Sequence, residues 1–455
     1  MELLFNIIYF IIAIGILVAI HELGHFLAAR LTGMRAEVFS IGMGKRLFGW
    51  NKINGFTWGN LDDKIELGNH TDYRIAAFPI GGYVKISGMI DESFDTNFTS
   101  KEPEPYEFRA KNTLQKVFVL SAGVIMNFIL AVVVFAGISF FNGSAELSTT
   151  QISKVESGSL AEEAGFRSGD IVKKINGEEV STWNTFLEKL TLKELGNSLE
   201  IELLRNNEPI TLKIDGTKII KGLAKKQSIG LSPGGIKTVV EDALANNPAA
   251  KAGIMAGDTI IECNGVEISS VNSLQSTLKN YKNQKIEIKW NRQGKILSDS
   301  LTTTESGLIG VRLSYAPIKT VEYGLFESIG IGFRETINSL ELLIKSIVQM
   351  FVGNLSFKES VAGPLMIMDM AGEQANRGLI SFLSFIAILS ISLAFMNILP
   401  FPALDGGHLV FVVIEGLIRK ELPVKIKLAF QQGGIIILLL FMVYVFYNDI
   451  VRMIK

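Results

Sequence analysis

Four long apolar runs dominate the pattern of hydrophobic and polar positions along the chain. Each is close to the roughly 20 residues that a helix needs to cross a bilayer. We therefore predict four transmembrane helices. The first run lacks a basic segment before it and is too long for the apolar part of an ordinary signal peptide, so we expect it to be retained. The runs are Leu3–Ile20, which continues as helix to about Leu31, Val117–Phe141, Gly378–Leu404 and Leu428–Asn448.

The connections between these runs differ in positive charge. Short loops that are rich in Lys and Arg stay on the cytoplasmic side of a membrane. We therefore expect the first and third connections to be cytoplasmic, and both termini and the segment 143–377 to face outward. The basic residues are Arg35, Lys45, Arg46, Lys52, Arg74 and Lys85 in the first connection, and Arg419, Lys420, Lys425 and Lys427 in the third.

Three further segments have distinctive polarity. Residues 325–352 place apolar side chains at helical spacing and charged residues on the other faces, which predicts an amphipathic helix on the outer leaflet. The run Val361–Met370 is too short to cross a bilayer and is predicted to be interfacial or a coil. The acidic stretch Asp91–Glu107 in the first connection is predicted to be a solvated loop.

The outer segment contains an internal repeat. Seven residues recur at a constant offset of 88 positions, and each copy has an Asn-Gly pair, which is typical of a tight hairpin turn. Alternating apolar residues, as in Leu199–Leu204 and Lys285–Trp290, predict mostly strands. The first copy has Ala161, Ala164, Gly165, Gly169, Asp170, Asn176 and Gly177, and the second has Ala249, Ala252, Gly253, Gly257, Asp258, Asn264 and Gly265.

Both copies resemble bacterial PDZ domains. In such domains an extended peptide adds to a sheet edge, and backbone amides near a Gly-containing strand receive its carboxylate. The alternative is that one or both copies bind no peptide and only shape access to the membrane part. The candidate strands are Ile229, Gly230 and Leu231 in the first copy, and Ile309, Gly310 and Val311 in the second.

Composition narrows the class of protein. The mean hydropathy is +0.33 and the net charge is −1, which is unusual for a soluble domain and lacks the basic excess of a nucleic-acid-binding protein. The single cysteine, Cys263, excludes an intrachain disulfide and a cysteine-based zinc site. A bound metal would therefore need carboxylates and members of the small histidine set, which is His21, His25, His70 and His408.

The first apolar run contains the sequence His-Glu-Leu-Gly-His at positions 21–25. Residues four apart share one helix face, so His21 and His25 can reach one metal ion, while Glu22 can take a proton from an attacking water. Polar side chains are costly inside a bilayer and are therefore functional by default. The alternative is that they are ordinary polar residues of a helix end near the interface.

A catalytic zinc site usually has three protein ligands, so this pair needs one more. The end of the third apolar run is predicted to lie on the same side of the membrane and offers Asp405 and His408. Spacing leaves open which of the two binds. His408 is also a candidate for a residue that hydrogen-bonds to a ligand or starts a helix.

Together these motifs are similar to those of the site-2 protease family of intramembrane zinc metalloproteases. The second family motif, Asn-x-x-Pro-x-Pro-x-Leu-Asp-Gly-Gly-His, occupies positions 397–408, and the chain departs from the usual Ala-Gly-Pro of the second span at Val124. The resemblance implies one Zn²⁺ bound by His21, His25 and Asp405, with Glu22 as general base. It covers nearly the whole chain and includes Gly81–Lys85, Ala122–Gly123, Asn127–Phe128, Ala362–Pro364 and Tyr447–Asp449.

The resemblance also implies what the enzyme cuts. The substrate would be a single-pass membrane protein, such as an anti-sigma factor already trimmed by another protease, or a remnant signal peptide. The location would be a bacterial inner membrane, with the active site toward the cytoplasm and the repeats in the periplasm, where they would act as a size filter. Asn397, Pro400 and Pro402 would then lie beside the substrate.

The first connection contains a candidate substrate-binding strand. Residues Tyr73–Ser87 are predicted to form a membrane-associated hairpin of two short strands. A substrate helix hides its carbonyl groups in its own hydrogen bonds, so it must unwind before attack and could then pair with a strand edge. Gly81, Gly82 and Tyr83 are the candidates for this pairing, and the alternative is a merely structural hairpin.

The predicted fold is a multi-pass α-helical membrane protein with two tandem α+β domains inserted between the second and third helices. A catalytically idle membrane scaffold, which would bind outer-face peptides and hold a structural zinc, is the alternative function. The predicted order is helix one 1–33, a cytoplasmic loop 34–113, helix two 114–142, repeats 143–233 and 234–316, an interfacial segment 317–376, helix three 377–405, a connection 406–427 and helix four 428–449.

Overall fold

The chain folds into two compact units. In this computed structural model the first comprises Met1–Asn142, Tyr323–Ile344 and Val361–Lys455, and the second comprises Gly143–Glu322 and Lys345–Ser360. The structure describes all residues except 1, 62–64, 66, 90–101, 194–195, 225–226, 236, 245–246, 269–270, 317 and 455. Most of the acidic stretch Asp91–Glu107 lies outside the described residues.

The elements follow one another in a helix, sheet, helix, sheet and helix order. The helices are α1 (Glu2–Leu31), α2 (Thr113–Asn142), α3 (Leu160–Glu163), α4 (Trp183–Glu188), α5 (Gly216–Ala224), α6 (Pro248–Lys251), α7 (Val271–Lys279), α8 (Leu325–Phe351), α9 (Phe357–Ser360), α10 (Pro364–Arg377), α11 (Leu379–Ile398), α12 (Asp405–Ile418) and α13 (Val424–Ile454). The strands are β1 (Ala36–Asn51), β2 (Gly55–Trp58), β3 (Asp72–Ile86), β4 (Ser144–Leu147), β5 (Ile152–Val155), β6 (Ile171–Ile175), β7 (Glu178–Glu179), β8 (Ser198–Arg205), β9 (Glu208–Asp215), β10 (Leu231–Pro233), β11 (Lys237–Ala243), β12 (Thr259–Cys263), β13 (Val266–Glu267), β14 (Lys285–Arg292), β15 (Lys295–Thr302), β16 (Val311–Ala316) and β17 (Ile318–Val321).

Four helices of the first unit, α1, α2, α11 and α13, are long and apolar enough to cross a bilayer. Among the described residues there are thus four candidate spans, the number that the sequence predicts. The third span is shorter than predicted, because α11 ends at Ile398 and Asp405 begins a separate helix, α12. Pro400 and Pro402 lie in the break, since proline lacks the N–H of a helical hydrogen bond and disfavours helix in the residue before it. The predicted connection 406–427 is accordingly helical over most of its length.

A buried carboxylate joins the last helix to α10. Asp449 on α13 is fully buried and accepts the backbone N–H groups of Gly363, Leu365 and Met366 at 3.0–3.1 Å. The first N–H groups of a helix have no partner within it, and a negative charge there is favourable. The segment predicted as interfacial or coil is therefore helical from Pro364 onward. Its stabilising partner lies more than 80 residues away in sequence, so local pattern could not reveal it.

The loop between α1 and α2 forms a sheet in the order β2-β1-β3. The predicted hairpin of two short strands is wrong in detail, because 72–86 is one bent strand whose two parts both pair with β1. Ile41 lies opposite both Gly82 and Ile75. The bend occurs where Gly81 has a φ of +81°, a value that glycine adopts without steric cost. The second part of β3 therefore remains a sheet edge.

Helix α8 confirms the predicted amphipathic helix, but its small residues face the protein. Ser328, Gly332 and Thr336 are buried, and a methyl group added at Gly332 would lie 2.5 Å from the carbonyl oxygen of Val132 on α2. Small residues allow this close helix contact in membrane proteins. The large apolar side chains, among them Phe333, are exposed, as expected for a surface that lipid covers.

The second unit contains the two repeats, each with its own apolar core. The strand orders correspond, since β7-β6-β8-β9 in the first repeat matches β13-β12-β14-β15 in the second. Asn176 and Asn264 both have positive φ and are followed by glycines with positive φ, as the predicted tight turns require. Burial raises the pKa of the Cys263 thiol to about 11, so this side chain is an inert part of the second core.

An ion pair recurs in both repeats. Asp170 binds Arg205 through both carboxylate oxygens at 2.8 Å, and Asp258 binds Arg292 at 2.7 Å. Arg205 also donates to the carbonyl oxygen of Gly165, and Arg292 donates to that of Gly253. The duplicated Gly-Asp turns are thus fixed to the neighbouring strand by bidentate hydrogen bonds.

Candidate metal centre and adjoining cavity

Three side chains of the first unit converge on one point. His21 and His25 share a face of α1, and Asp405 is the first residue of α12. The two histidine Nε2 atoms are 3.2 Å apart, and Asp405 Oδ2 lies 3.0 Å from His21 Nε2 and 3.4 Å from His25 Nε2. The break between α11 and α12 allows Asp405 to point at the two imidazoles.

These separations fit a zinc ion. Ligand atoms that bind tetrahedral zinc at their usual bond lengths are about 3.3–3.5 Å apart. Asp405 Oδ2 has no hydrogen-bond partner among the described residues, although both imidazole Nε2 atoms lie within 3.4 Å of it, which fits a position that a cation can fill. The donor set of two imidazoles and one carboxylate leaves a fourth position open, which is the composition of catalytic zinc sites.

The two imidazoles lie against a part of α2 whose backbone approaches α1 closely. A methyl group added at Gly24 would lie 2.3 Å from the carbonyl oxygen of Ala122, and one added at Gly123 would lie 2.5 Å from His25 Nε2. Glycines at both contact points let the backbones of α1 and α2 approach. His25 Nδ1 is 2.8 Å from the carbonyl oxygen of Val119. A carbonyl only accepts, so the neutral His25 ring carries its proton on Nδ1 and has a lone pair at Nε2.

Glu22 lies beside the three converging residues. It is 8% exposed and lines a cavity of about 300 Å³ together with His21, His25 and Asp405. A methyl group added at Gly82 of β3 would lie 3.1 Å from Glu22 Cγ. The carboxylate therefore borders this cavity, and residues of β3 form one wall of it.

Some of the other predicted site residues line this cavity, and some do not. Gly81, Gly82, Tyr83 and His408 line it, and so does Asn397, whose Nδ2 lies 3.3 Å from His21 Nε2. The structure instead places Pro400 and Pro402 in the break between α11 and α12. Pro402 contacts α13, since a methyl group added at Gly434 would lie 2.0 Å from its Cβ. His408 follows Asp405 by one helical turn.

Sequence reasoning gave no role to Asn127 of α2. This residue is fully buried, and its Nδ2 lies 3.1 Å from His21 Nδ1. The available signal was an amide inside an apolar run, since polar groups within a transmembrane helix are costly and usually functional. Gly123 lies one turn before it, on the same face of α2.

The predicted peptide-binding strands of the repeats have equivalent geometry. Gly230 and Gly310 have φ values of +72° and +76°, and their carbonyl oxygens accept the N–H groups of Glu156 and Leu244 at 2.9 Å. Each glycine is followed by a strand, β10 or β16, that ends the order of its sheet. Among the described residues, each of these strands therefore lies at one end of its sheet.

Comparisons with known proteins agree with this arrangement. The model of peptidase family M50 matches residues 9–60 and 63–441. A regulator of sigma E protease from Haemophilus influenzae is 30% identical over 469 residues, and that from Salmonella typhimurium strain LT2 is 29% identical over 473; each match covers 100% of both chains. A protein from Neisseria meningitidis, provisionally named a zinc metalloprotease, is 31% identical and covers 98% of this chain and 99% of its own.

Among solved structures, the PDZ domain of an SdrC-like protein from Listeria monocytogenes matches part of this chain. It is 23% identical, covers 17% of this chain and 86% of its own, and has a TM-score of 0.16.

The choice between Asp405 and His408 as third ligand can be measured. Asp405→Asn should lower zinc content to background, because the amide has no negative charge to balance the ion, whereas His408→Gln should retain about one zinc per chain. Metal analysis of both purified variants beside the wild type checks this. Retained zinc in Asp405→Asn together with loss in His408→Gln would assign the ligand to His408.

Proposed function

The chain belongs to peptidase family M50, the family of the site-2 proteases, and is a zinc metalloendopeptidase; we propose that it cuts single-pass membrane proteins inside the bilayer. His21 and His25 lie in a helix long and apolar enough to span a membrane, and Asp405, which follows the end of another such helix, converges on them. This convergence carries the proposal. A peptidase that acts in water would not need its ligands there.

The residues around the cavity suggest how hydrolysis would proceed. His21, His25 and Asp405 would hold one zinc ion, which when bound supplies the Lewis acidity that polarises the scissile carbonyl and acidifies an attacking water. Glu22 would take the proton of that water and later deliver it to the leaving amine. Asn397 would donate its amide N–H to the substrate carbonyl as negative charge develops on the oxygen.

The edge of β3 is proposed to hold the substrate. A transmembrane helix must unwind locally before its carbonyl groups become accessible. The second part of β3 pairs with β1 on one side only, and Gly82 and Tyr83 line the cavity beside Glu22. An unwound substrate could therefore extend this sheet as an added strand and present its peptide bond to the metal.

The relatives suggest the biological substrate. Two of them are named as regulators of sigma E. We therefore propose that this chain cuts an anti-sigma factor of the bacterial inner membrane after a first protease has trimmed it, with remnant signal peptides as further substrates. The active site would lie toward the cytoplasm and the repeats in the periplasm, in accord with the basic connections.

Replacing the proposed general base separates an enzyme from a zinc-holding scaffold. Glu22→Gln should retain zinc and lower the cleavage rate of a model transmembrane substrate by about 10²- to 10⁴-fold, the usual contribution of general acid–base catalysis. Cleavage is followed in proteoliposomes by gel electrophoresis, with zinc content as the control. If both proteins convert the substrate equally, the scaffold alternative is favoured and the protease proposal fails.

Proline substitutions test the proposed strand addition. Successive backbone N–H groups of a strand point to opposite edges, so of Tyr83→Pro and Val84→Pro one should weaken pairing with β1 and the other should remove a hydrogen bond to the substrate. We expect the variant that loses the hydrogen bond to the substrate to cleave more slowly than the wild type, with unchanged zinc content and thermal stability. Tyr83→Ala controls for the side chain. If both proline variants cleave the substrate at the wild-type rate per folded molecule, β3 has no part in the mechanism.

The repeats are proposed to filter substrates by size. Leu147 of β4 pairs with Ile318 of β17, so deleting residues 150–315 leaves a four-residue connection that can close this hairpin. The shortened protein should cleave full-length and trimmed substrates at similar rates, whereas the intact protein should prefer the trimmed form. The ratio of the two cleavage rates is the measurement. An unchanged preference after deletion would show that selection occurs elsewhere.

A further inference from the structure

Three positions of α2 form one face against the two histidines. Val119, Gly123 and Asn127 are spaced by four residues, so they lie one above another on the helix. Val119 contacts His25, Asn127 contacts His21, and Gly123 approaches both imidazoles. Nδ1 is the nitrogen of each imidazole that faces away from Asp405, and we call it the outer nitrogen. This face of α2 therefore provides the hydrogen-bond partner of the outer nitrogen in both rings.

The two outer nitrogens have different kinds of partner. His25 Nδ1 faces the backbone carbonyl of Val119, which can only accept. His21 Nδ1 faces the amide of Asn127, which can donate through Nδ2 or accept through Oδ1. The proton position on His25 is thus fixed by the fold, whereas that on His21 depends on the orientation of one amide.

The orientation in the structure corresponds to one of two ring tautomers. Asn127 Nδ2 faces His21 Nδ1, while Asn127 Oδ1 is buried without a hydrogen-bond partner among the described residues. If Nδ2 donates, the neutral ring carries its proton on Nε2, which lies 3.0 Å from Asp405 Oδ2. That tautomer has no lone pair for a metal at Nε2.

A half-turn of the amide gives the other tautomer. It exchanges Oδ1 and Nδ2, so that Oδ1 accepts a proton from His21 Nδ1 and Nε2 is left with a lone pair. One end of the amide lacks a partner in either orientation, so neither is excluded by hydrogen bonding alone. Backbone contacts keep the residue in place, since Ser390 Oγ on α11 donates to the Asn127 carbonyl oxygen at 2.8 Å.

From these contacts we infer that Asn127 is the positioning residue that selects the metal-binding tautomer of His21, with Oδ1 as acceptor in the zinc-loaded enzyme. The inference rests on the proposed roles of His21, His25 and Asp405 as ligands. Outer hydrogen-bond partners of ligating histidines fix the ring and contribute about 10- to 100-fold to metal affinity. Asn127 would act on His21 as the Val119 carbonyl acts on His25.

Zinc affinity of three variants tests this inference. Asn127→Leu has a similar size but cannot accept, and we expect its affinity to fall about 10- to 100-fold. Asn127→Asp can only accept, so its affinity should equal or exceed that of the wild type. Ser390→Ala removes a neighbouring buried hydrogen bond without touching His21 and should change affinity less than threefold. Competition with a chelator in detergent, without substrate, gives the values.

The three affinities separate a role of Asn127 as hydrogen-bond acceptor from a role in helix packing. Equal losses in Asn127→Leu and Ser390→Ala would assign the effect to helix packing, and a loss in Asn127→Asp as large as in Asn127→Leu would refute acceptance by Oδ1. If Asn127→Leu does not fold, Asn127→Ala replaces it in the same comparison. An unchanged affinity in the non-accepting variant overturns the inference.

The position of the proton on the His21 ring can also be measured directly. The chain has four histidines, so ¹⁵N-histidine spectra of the zinc-loaded protein are simple enough to assign. We expect Nδ1 of His21 to carry the proton and Nε2 to bind the metal; a proton on Nε2 overturns the inference. Normal zinc binding in a protein that cuts no membrane substrate would refute the proposed function and leave this inference intact.

Discussion

The structure depends on bringing one partly buried carboxylate up to two buried imidazoles. Ionisable side chains within a bilayer are costly unless each finds a partner, and the idealised cost of an unpaired charge is many kcal/mol. His21, His25 and Asp405 meet this constraint by facing one another around a position that a cation can fill. The surrounding features serve that convergence: the glycine contacts between α1 and α2, the break before α12 and the amide of Asn127.

The close helix contacts explain why glycine occurs at specific places in apolar segments. Gly24 and Gly123 each lie where an added methyl group would contact backbone or imidazole atoms. Without a hydrophobic driving force between helices in lipid, such close packing is a main source of association. The same helices therefore achieve both assembly and placement of the ligands. A larger residue at either position would separate α1 from α2 and displace the imidazoles together.

Sequence reasoning found the four candidate spans, the duplicated domains and the histidine pair, because each has a local signature. Asp405 was preferred to His408 only through the family resemblance. Transmembrane helices have long apolar runs, the repeats recur at a fixed offset, and His21 and His25 are one helical turn apart. It failed where a distant residue decides the local structure. Asp449 stabilises the start of α10, both parts of β3 pair with β1, and Asn127 acquires its role only through contact with His21. The break at Pro400 and Pro402 was readable in principle, but the apolar run around it suggested one continuous helix.

The wide separation of the converging residues has a consequence for biosynthesis. Asn397 and His21 are in contact across 376 positions of sequence, and Asp449 reaches Gly363 at the start of α10 across 86 positions. Contacts between such distant segments form late, after most of the polypeptide has been synthesised and inserted. A nascent chain that does not yet include Asp405 therefore lacks one of the three converging side chains. The order of these residues along the chain places completion of the site late in synthesis.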